Sequence, residues 1–496
     1  MQAYTKVAGA DEFVVAREQL EKLIGELCTP SWGLLEHGEV ESRIEQEGTE
    51  LLRHVMQAYL DHRALAENVL EEVAGPEGEP GRHCRPRHRA LMTLFGEVTV
   101  HRLGHSGAHL ASVFPLDAAL NLPPCKYSHG MERKVGLEVA KGSFDETVKA
   151  IAEGTGGRIP KRQAEDLSRA ISVDFEAYYA SRPVESASGL LVMSVDGKGV
   201  VVRKEDLREA TRKKAEATTH KLQVRLSRGE KHNRKRMATV AAVYEVAPHV
   251  RTAEQILGQD ETPSSRPKIA RKRVWASLRQ CPSEVIEQMF AEAERRDPRH
   301  ELTWLVLVDG QEAQLCEVQA ALARHRTDGV IIQDFVHVLE YLWKAAYCLH
   351  AEGTPEAEAW VLAHAHALLK GHVSEVAAGM RRSATRRALS QDAREPVDKC
   401  AEYLLKNKVR FDYATALANG WPIATGIIEG ACRYLVKDRM DLTGARWSLD
   451  GAEAVLRLRA LRASGDFEDY MAFHHRQEHQ RNYPPAPKNE PLKLAA

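Results

Sequence analysis

The chain has 496 residues, enough for about three domains at roughly 150 residues each, so a peptide or a disulfide-stapled mini-protein is excluded. Its 43% hydrophobic and 28% charged residues are those of a folded globular protein, not of a disordered or fibrous one. Lys and Arg number 69 against 70 Asp and Glu, a net charge of -1, so any nucleic-acid binding has to come from local basic patches.

The N-terminal stretch lacks the basic segment and apolar core of a secretory leader, and nowhere are there the roughly 18 apolar residues of a membrane span. Over residues 11–73, apolar positions recur at helical spacing (Phe13, Leu20, Leu23, Ile24, Leu27, then Leu51, Val55, Met56, Tyr59 and Leu60), which predicts amphipathic helices. Gly75 to Gly81 is a loop by its Pro and Gly content, and residues 92–103 read as two short strands around Gly96. Ser143 with Glu146 three residues on is a capping box; it opens a helix that stops at Gly154, and a second helix begins near Pro160. The pair has the length and Gly-containing turn of a helix-turn-helix, with Lys161, Arg162 and Gln163 where base contacts are usually made; an ordinary helical hairpin has the same pattern.

At Gly189 the sequence changes character. Leu190 to Val202 is a nearly continuous apolar run, as in a buried strand, interrupted by Asp196. Residues 203–236 carry 13 Lys or Arg against 5 acids, and Arg266, Lys268, Arg271, Lys272 and Arg273 continue the theme. These runs flank a strand at 238–246 and either follow a phosphate backbone or form a solvated surface. Residues 302–311 repeat an apolar strand ending in Asp-Gly, with Asp309, and 329–335 is a further short strand-like run with Asp334 near its end. From Phe335 to about Leu417 the periodicity is helical throughout. Trp421-Pro422 breaks that block, and a helix resumes at 425–440 carrying Glu429, Arg433, Lys437 and Arg439. Eight cysteines are scattered along the chain without a CxxC pair, as in a reducing compartment.

Two buried-type strands that each deliver an aspartate at or near their C-terminal ends place both carboxylates on one sheet edge, where open α/β sheets build their sites. Converging acids repel one another unless a cation neutralises them, and hard oxygen ligands suit Mg2+ or Mn2+. Two such ions about 3.5–4 Å apart would activate an attacking oxygen and stabilise a leaving oxygen in phosphoryl transfer. Glu429, a charge in a small and apolar stretch, is the third acid. Singly, each Asp-Gly also fits a turn and Glu429 an exposed helix position; the three together carry the reading.

The segments SVDGKGVVVRKEDLREATRKKA (194–215), IIQDFVHVLEYLWKAAY (331–347) and WPIATGIIEGACRYLVKDRMDLTGARWSLDGAEAVLRLRAL (421–461), with FPLDAALNLP (114–123) and PKRQAEDLS (160–168), resemble bacterial insertion-sequence DDE transposases of the Kra group. The resemblance runs from about Met92 to Tyr470. It implies an α/β fold with a ribonuclease-H-like catalytic core and an all-helical insertion, preceded by a mostly helical N-terminal DNA-binding region. By it Asp196 matches the first catalytic acid, Asp309 the second and Glu429 the third. The long gap before Glu429 makes 335–420 an insertion of the kind carried by related Mutator-like transposases. Asp334 to His337 resembles the acid-x-x-His motif that follows the second acid in those relatives; His337 then contacts DNA or orients a carboxylate, unless Asp334 is a plain helix cap. Arg433, Lys437 and Arg439 either meet phosphates or form a solvated basic face. The paired cysteines that more distant relatives show around the N-terminal hairpin are missing, and His83, Cys84 and His88 match no standard finger, so no structural zinc is expected.

The expected organisation is a helical region 1–75, a hairpin plus helix-turn-helix-like DNA-binding region 76–182, the first part of the core 183–334, the insertion 335–420, the C-terminal part of the core with the catalytic Glu 421–475, and a flexible tail 476–496. The expected function is that of a DNA transposase. It binds the terminal inverted repeats of its element and, with Asp196, Asp309 and Glu429 holding two Mg2+ or Mn2+ ions, cleaves a strand and transfers it to target DNA. Its partners are double-stranded DNA and further copies of the chain, as a homodimer or larger synaptic complex, in the bacterial cytoplasm at the nucleoid and without a membrane. The alternatives are a ribonuclease-H-like metal-dependent nuclease and a domesticated DNA-binding protein without strand transfer.

Overall fold

The computed structural model describes residues 11–75, 79–108, 112–183, 188–218, 222, 234–260, 265–442 and 444–483. The chain forms two compact units, one of Met1–Ser181 with Asp466–Ala496 and one of Arg182–Gly465. The protein is mixed α/β, and among the described residues no helix is long and apolar enough to cross a membrane.

The first unit begins with the helices α1 (Val14–Leu27) and α2 (His37–Leu65). The hairpin β1 (His83–Thr93) and β2 (Gly96–Ser106) pairs in register from His83↔Ser106 to Thr93↔Gly96, much longer than the two short strands expected. The helix α2 braces it: Leu60 packs on Leu91, Val98 and Val100, and the Gln57 amide bonds both the N–H and the C=O of Thr99, at 2.7 and 2.8 Å. The helices α3 (His129–Lys141), α4 (Phe144–Gly154) and α5 (Lys161–Ala170) follow. The Ser143 and Glu146 capping box forms, with reciprocal bonds of 3.1 and 2.6 Å. Ala164, Leu167 and Ser168 of α5 are buried, while Lys161, Arg162 and Gln163 stand exposed on its first turn.

The second unit is built on β3 (Leu190–Val201), β4 (Lys235–Val246), β5 (Ala270–Ser277), β6 (Thr303–Val308) and β7 (Val330–Gln333), with α6 (Pro282–Arg296) before β6 and α7 (Glu312–His325) after it. The sheet order is β5-β4-β3-β6-β7. The first three strands are antiparallel and the last three parallel.

The strand β5 falls within a segment that reads as a basic run, and its arginines point into an internal charge network instead of toward solvent. Arg273, Arg295 and Arg296 surround Glu292 at 2.6, 2.8 and 2.7 Å, and Arg271 bonds Glu245 at 3.0 Å. Buried carboxylates and guanidinium groups are tolerated only in such mutual contact, which here ties α6 to β4 and β5.

The helices α8 (Phe335–Ala346), α9 (Pro355–Leu369), α10 (Val373–Arg386) and α11 (Gln391–Lys406) come next. They do not enclose a separate core. Val192, Leu305, Leu307 and Ile332 of the sheet, Val338 and Leu342 of α8, and Val361, Met380 and Val397 beyond belong to one buried cluster. The helix α12 (Gly426–Ala431) leads into a π-helical stretch, Cys432–Lys437, and α13 (Leu449–Ser464) lies along β5, where Glu453 accepts from Ser277 and the Leu278 N–H at 2.7 and 2.8 Å.

The helix α14 (Phe467–Asn482) returns to the first unit. Tyr470 donates to the Ile171 carbonyl at 2.7 Å, and Asp174 receives His474 and Arg481, each at 2.6 Å. Residues 476–482 are therefore helix and not the start of a flexible tail, because Arg481 is held by a charge pair; 484–496 lie outside the described residues.

Glu292→Gln leaves the arginines around it without their carboxylate and is expected to cost about 3–5 kcal/mol at pH 7 in urea denaturation. Burial opposes the charge of Glu292, but Arg273, Arg296 and Arg295 outweigh it and hold its pKa below the usual value. A depressed folded pKa means stability that is present above the unfolded value of about 4.5 and lost as pH falls through the folded one, so the difference between Glu292→Gln and wild type shrinks with acidification.

Candidate metal site at the sheet edge

Side chains alternate along a strand, so Leu190, Val192, Ser194 and Asp196 share one face of β3, the face covered by the helical block. β3 and β6 pair in parallel from Leu190↔Thr303 to Ser194↔Leu307, and carrying that register two residues further sets Asp196 opposite Asp309. β6 and β7 pair up to Val308↔Gln333, and the Asp334 N–H donates to the Val308 carbonyl at 2.8 Å, which sets Asp334 beside Asp309. Three aspartates of three adjacent parallel strands thus form one row at the carboxyl end of the sheet. Asp196 differs from expectation in one respect: β3 does not end there. Its antiparallel partner continues to pair, from Asp196↔Val240 to Val201↔Lys235, after β6 has stopped.

Asp309 accepts the Gln311 N–H at 2.9 Å, and the chain turns at Gly310 with φ 92°, where a Cβ would collide with the Gln333 amide. Asp334 is fully buried. One of its oxygens caps α8, accepting the backbone N–H of His337 at 3.1 Å and its Nδ1 at 2.7 Å. The other accepts the Thr425 N–H at 2.9 Å, and the Thr425 hydroxyl donates to Glu429 Oε1 at 3.1 Å. Ligand atoms of Asp334, His337 and Glu429 lie within 4.8 Å of one another. Asp196, Asp309 and Glu429 do not form such a group of three; the link from the glutamate helix to Asp196 is Cys432, whose thiol donates to Asp196 Oδ2 at 3.2 Å. Burial, and then the Asp196 charge, push that thiol well above its ordinary pKa. At His337, burial works against the charged form, but the hydrogen bond and charge of Asp334, with Asp309 and Glu340 adding to them, raise its pKa.

The basic candidates fare unequally. Lys161 pairs with Asp145 at 2.6 Å, both exposed, beside the exposed Arg162 and Gln163. Arg433 and Lys437 are exposed, with Arg433 3.8 Å from Asp438. Arg439 is a correction: only 2% exposed, it lays its guanidinium over the Trp447 ring, 4.7 Å from the centroid, and is not a phosphate contact. The π-helical stretch from Cys432 explains the change, since its wider turns rotate later residues away from the positions that α-helical spacing assigns. Asp334, Thr425 and Cys432 join the candidate acids through hydrogen bonds and were not among the candidate site residues of the sequence. Of these, Asp334 carried a signal in the sequence, as the acid of the acid-x-x-His motif at the end of a strand-like run.

No protein-family model matches the chain, and no curated protein matches it.

Asp334→Ala removes the cap of α8 and the acceptor for Thr425 together. It is expected to cost more than the roughly 1 kcal/mol of a lost N-cap in denaturant titration, and to weaken Mn2+ binding measured by calorimetry.

Proposed function

We propose that the chain is a DNA transposase of the DDE type, acting on the terminal inverted repeats of its own element and on target DNA through a ribonuclease-H-like core. The observation that carries this reading is the row of Asp196, Asp309 and Asp334 at the ends of parallel strands, with the helix of Glu429 tied to it through Thr425. The sheet order, with three antiparallel strands joined to two parallel ones, supports the core assignment, as does the sequence resemblance.

Asp196, Asp309 and Glu429 are the residues that would hold the two Mg2+ or Mn2+ ions. Their donors are the hard oxygens that such ions take, and of these acids only Glu429 belongs to a group of ligand atoms within 4.8 Å of one another, with Asp334 and His337. Bound there, the ions supply the positive charge that activates the attacking oxygen and stabilises the leaving one. Asp334 is a positioning residue, fixing the segment that presents Glu429. His337, held through Nδ1 by Asp334, meets a DNA phosphate with Nε2–H in its imidazolium form. Lys161, Arg162 and Gln163 supply contacts to the repeat, and Arg433 and Lys437 meet phosphates beside Glu429. Joining two element ends calls for a homodimer or larger assembly, in the bacterial cytoplasm at the nucleoid.

A strand-transfer assay with purified protein, Mg2+ and labelled element-end DNA tests this. Joined product is expected from wild type and from none of Asp196→Ala, Asp309→Ala and Glu429→Ala, while His337→Ala lowers the yield about 10–100-fold, as loss of an outer partner does. Wild type that nicks without joining is a nuclease and not a transposase; alanine variants as active as wild type overturn the metal site.

A further inference from the structure

The first unit holds a second cluster of metal-binding side chains, remote in sequence from the sheet-edge acids. His129 and Glu132 lie in the first turn of α3, and His475 and Glu478 lie one turn apart on α14. The same His-x-x-Glu spacing thus occurs on both helices, far apart in the sequence. Ligand atoms of His129, Glu132 and His475 fall within 4.8 Å of one another. Glu132 Oε2 is 2.9 Å from His129 Nδ1 and 3.7 Å from His475 Nε2, and Glu478 Oε2 is 3.8 Å from His129 Nδ1.

The cluster is half-buried and only partly satisfied, by the contact of His129 Nδ1 with Glu132. The Glu132 side chain is 2% exposed, and the two imidazole rings lie with centroids 3.9 Å apart. His129 Nε2, His475 Nε2 and Glu478 Oε2 are all buried without a hydrogen-bond partner, and no Lys or Arg is ion-paired to Glu132 or Glu478 among the described residues. Buried polar atoms are nearly always partnered, so three orphans on the residues of one His and Glu cluster point to an absent ligand. Cys125 donates to the other oxygen of Glu132 at 3.4 Å, the kind of outer contact that orients a ligating carboxylate.

We propose that His129, Glu132, His475 and Glu478 bind one divalent ion of the Zn2+ class. Two imidazole nitrogens with two carboxylates form a borderline donor set that favours Zn2+, whereas Mg2+ and Ca2+ prefer oxygens alone. The ion is structural, whereas no structural zinc is expected from the sequence. The helices α3 and α14 already meet through the Arg133–Glu468 pair at 2.6 Å and through Phe467 packed on Gly136, and the ion fastens them at the histidine end.

Metal content of the full-length chain, purified without chelator and dialysed against Mg2+, tests this. One equivalent of zinc is expected in wild type and in Asp196→Ala, and less than a tenth of that in His475→Asn and Glu478→Gln. Stripping wild type should lower its Tm, and Zn2+ but not Mg2+ should restore it. Zinc absent from wild type, retained in His475→Asn, or lost in Asp196→Ala overturns the site. Should His475→Asn fail to fold, the Co2+ spectrum of the stripped wild-type chain decides. Ligand-field bands without thiolate charge transfer support the four ligands; no bands, or a thiolate band, overturns them.

Discussion

A carboxylate with no surface in water is stable only where its lone pairs are met by donors, and Asp334 meets this demand with N–H groups from two separate segments. The consequence is topological. The helical block leaves the sheet at α8, whose cap is Asp334, and the chain comes back at Thr425, whose N–H binds the same side chain; the next peptide repeats the contact, with the Phe335 N–H donating to the Ile423 carbonyl at 2.9 Å. Entry and exit of the excursion are therefore clasped by one residue. A long excursion whose ends are held together adds little closure entropy, which is how so long a helical segment is accommodated between β7 and the glutamate helix.

The same demand shapes the other side of the sheet. Arginines that read as a surface for phosphates are consumed by Glu245 and Glu292, and Arg439 by Trp447. Other basic residues stay exposed, among them Arg203, Lys204, Lys213, Lys214, Arg266 and Lys268 of the same runs, Arg433 and Lys437 near Glu429, and the first turn of α5. A chain of near-zero net charge divides its basic residues between internal pairing and outward presentation, and composition does not reveal the division.

Much of the fold was legible. The capping box at Ser143, the helix start at Pro160, the apolar strands around Asp196 and Asp309 and the helical block all rest on local signals that tertiary structure did not override. The strand β5 was hidden because its charged residues are satisfied by partners distant in sequence. The place of Asp334 in the carboxylate row depends on the register of β7, a strand of four residues, and register is invisible in one sequence. The Cys432 contact and the buried Arg439 depend on a π-helical stretch that no apolar periodicity announces. His129 and His475 look like isolated histidines until α14 is laid against α3.

That return of α14 has a bearing on synthesis. The segment 182–465 is continuous, so all of the residues that build the five-stranded sheet and its helical block leave the ribosome before α14 does. The first unit, although most of its residues precede that segment, lacks the helix that supplies Tyr470, His474 and Arg481 until the segment has been made. The order of maturation is thus the reverse of the order of the sequence: the sheet-bearing unit can fold on the nascent chain, while the unit with the exposed α5 turn waits for its last helix.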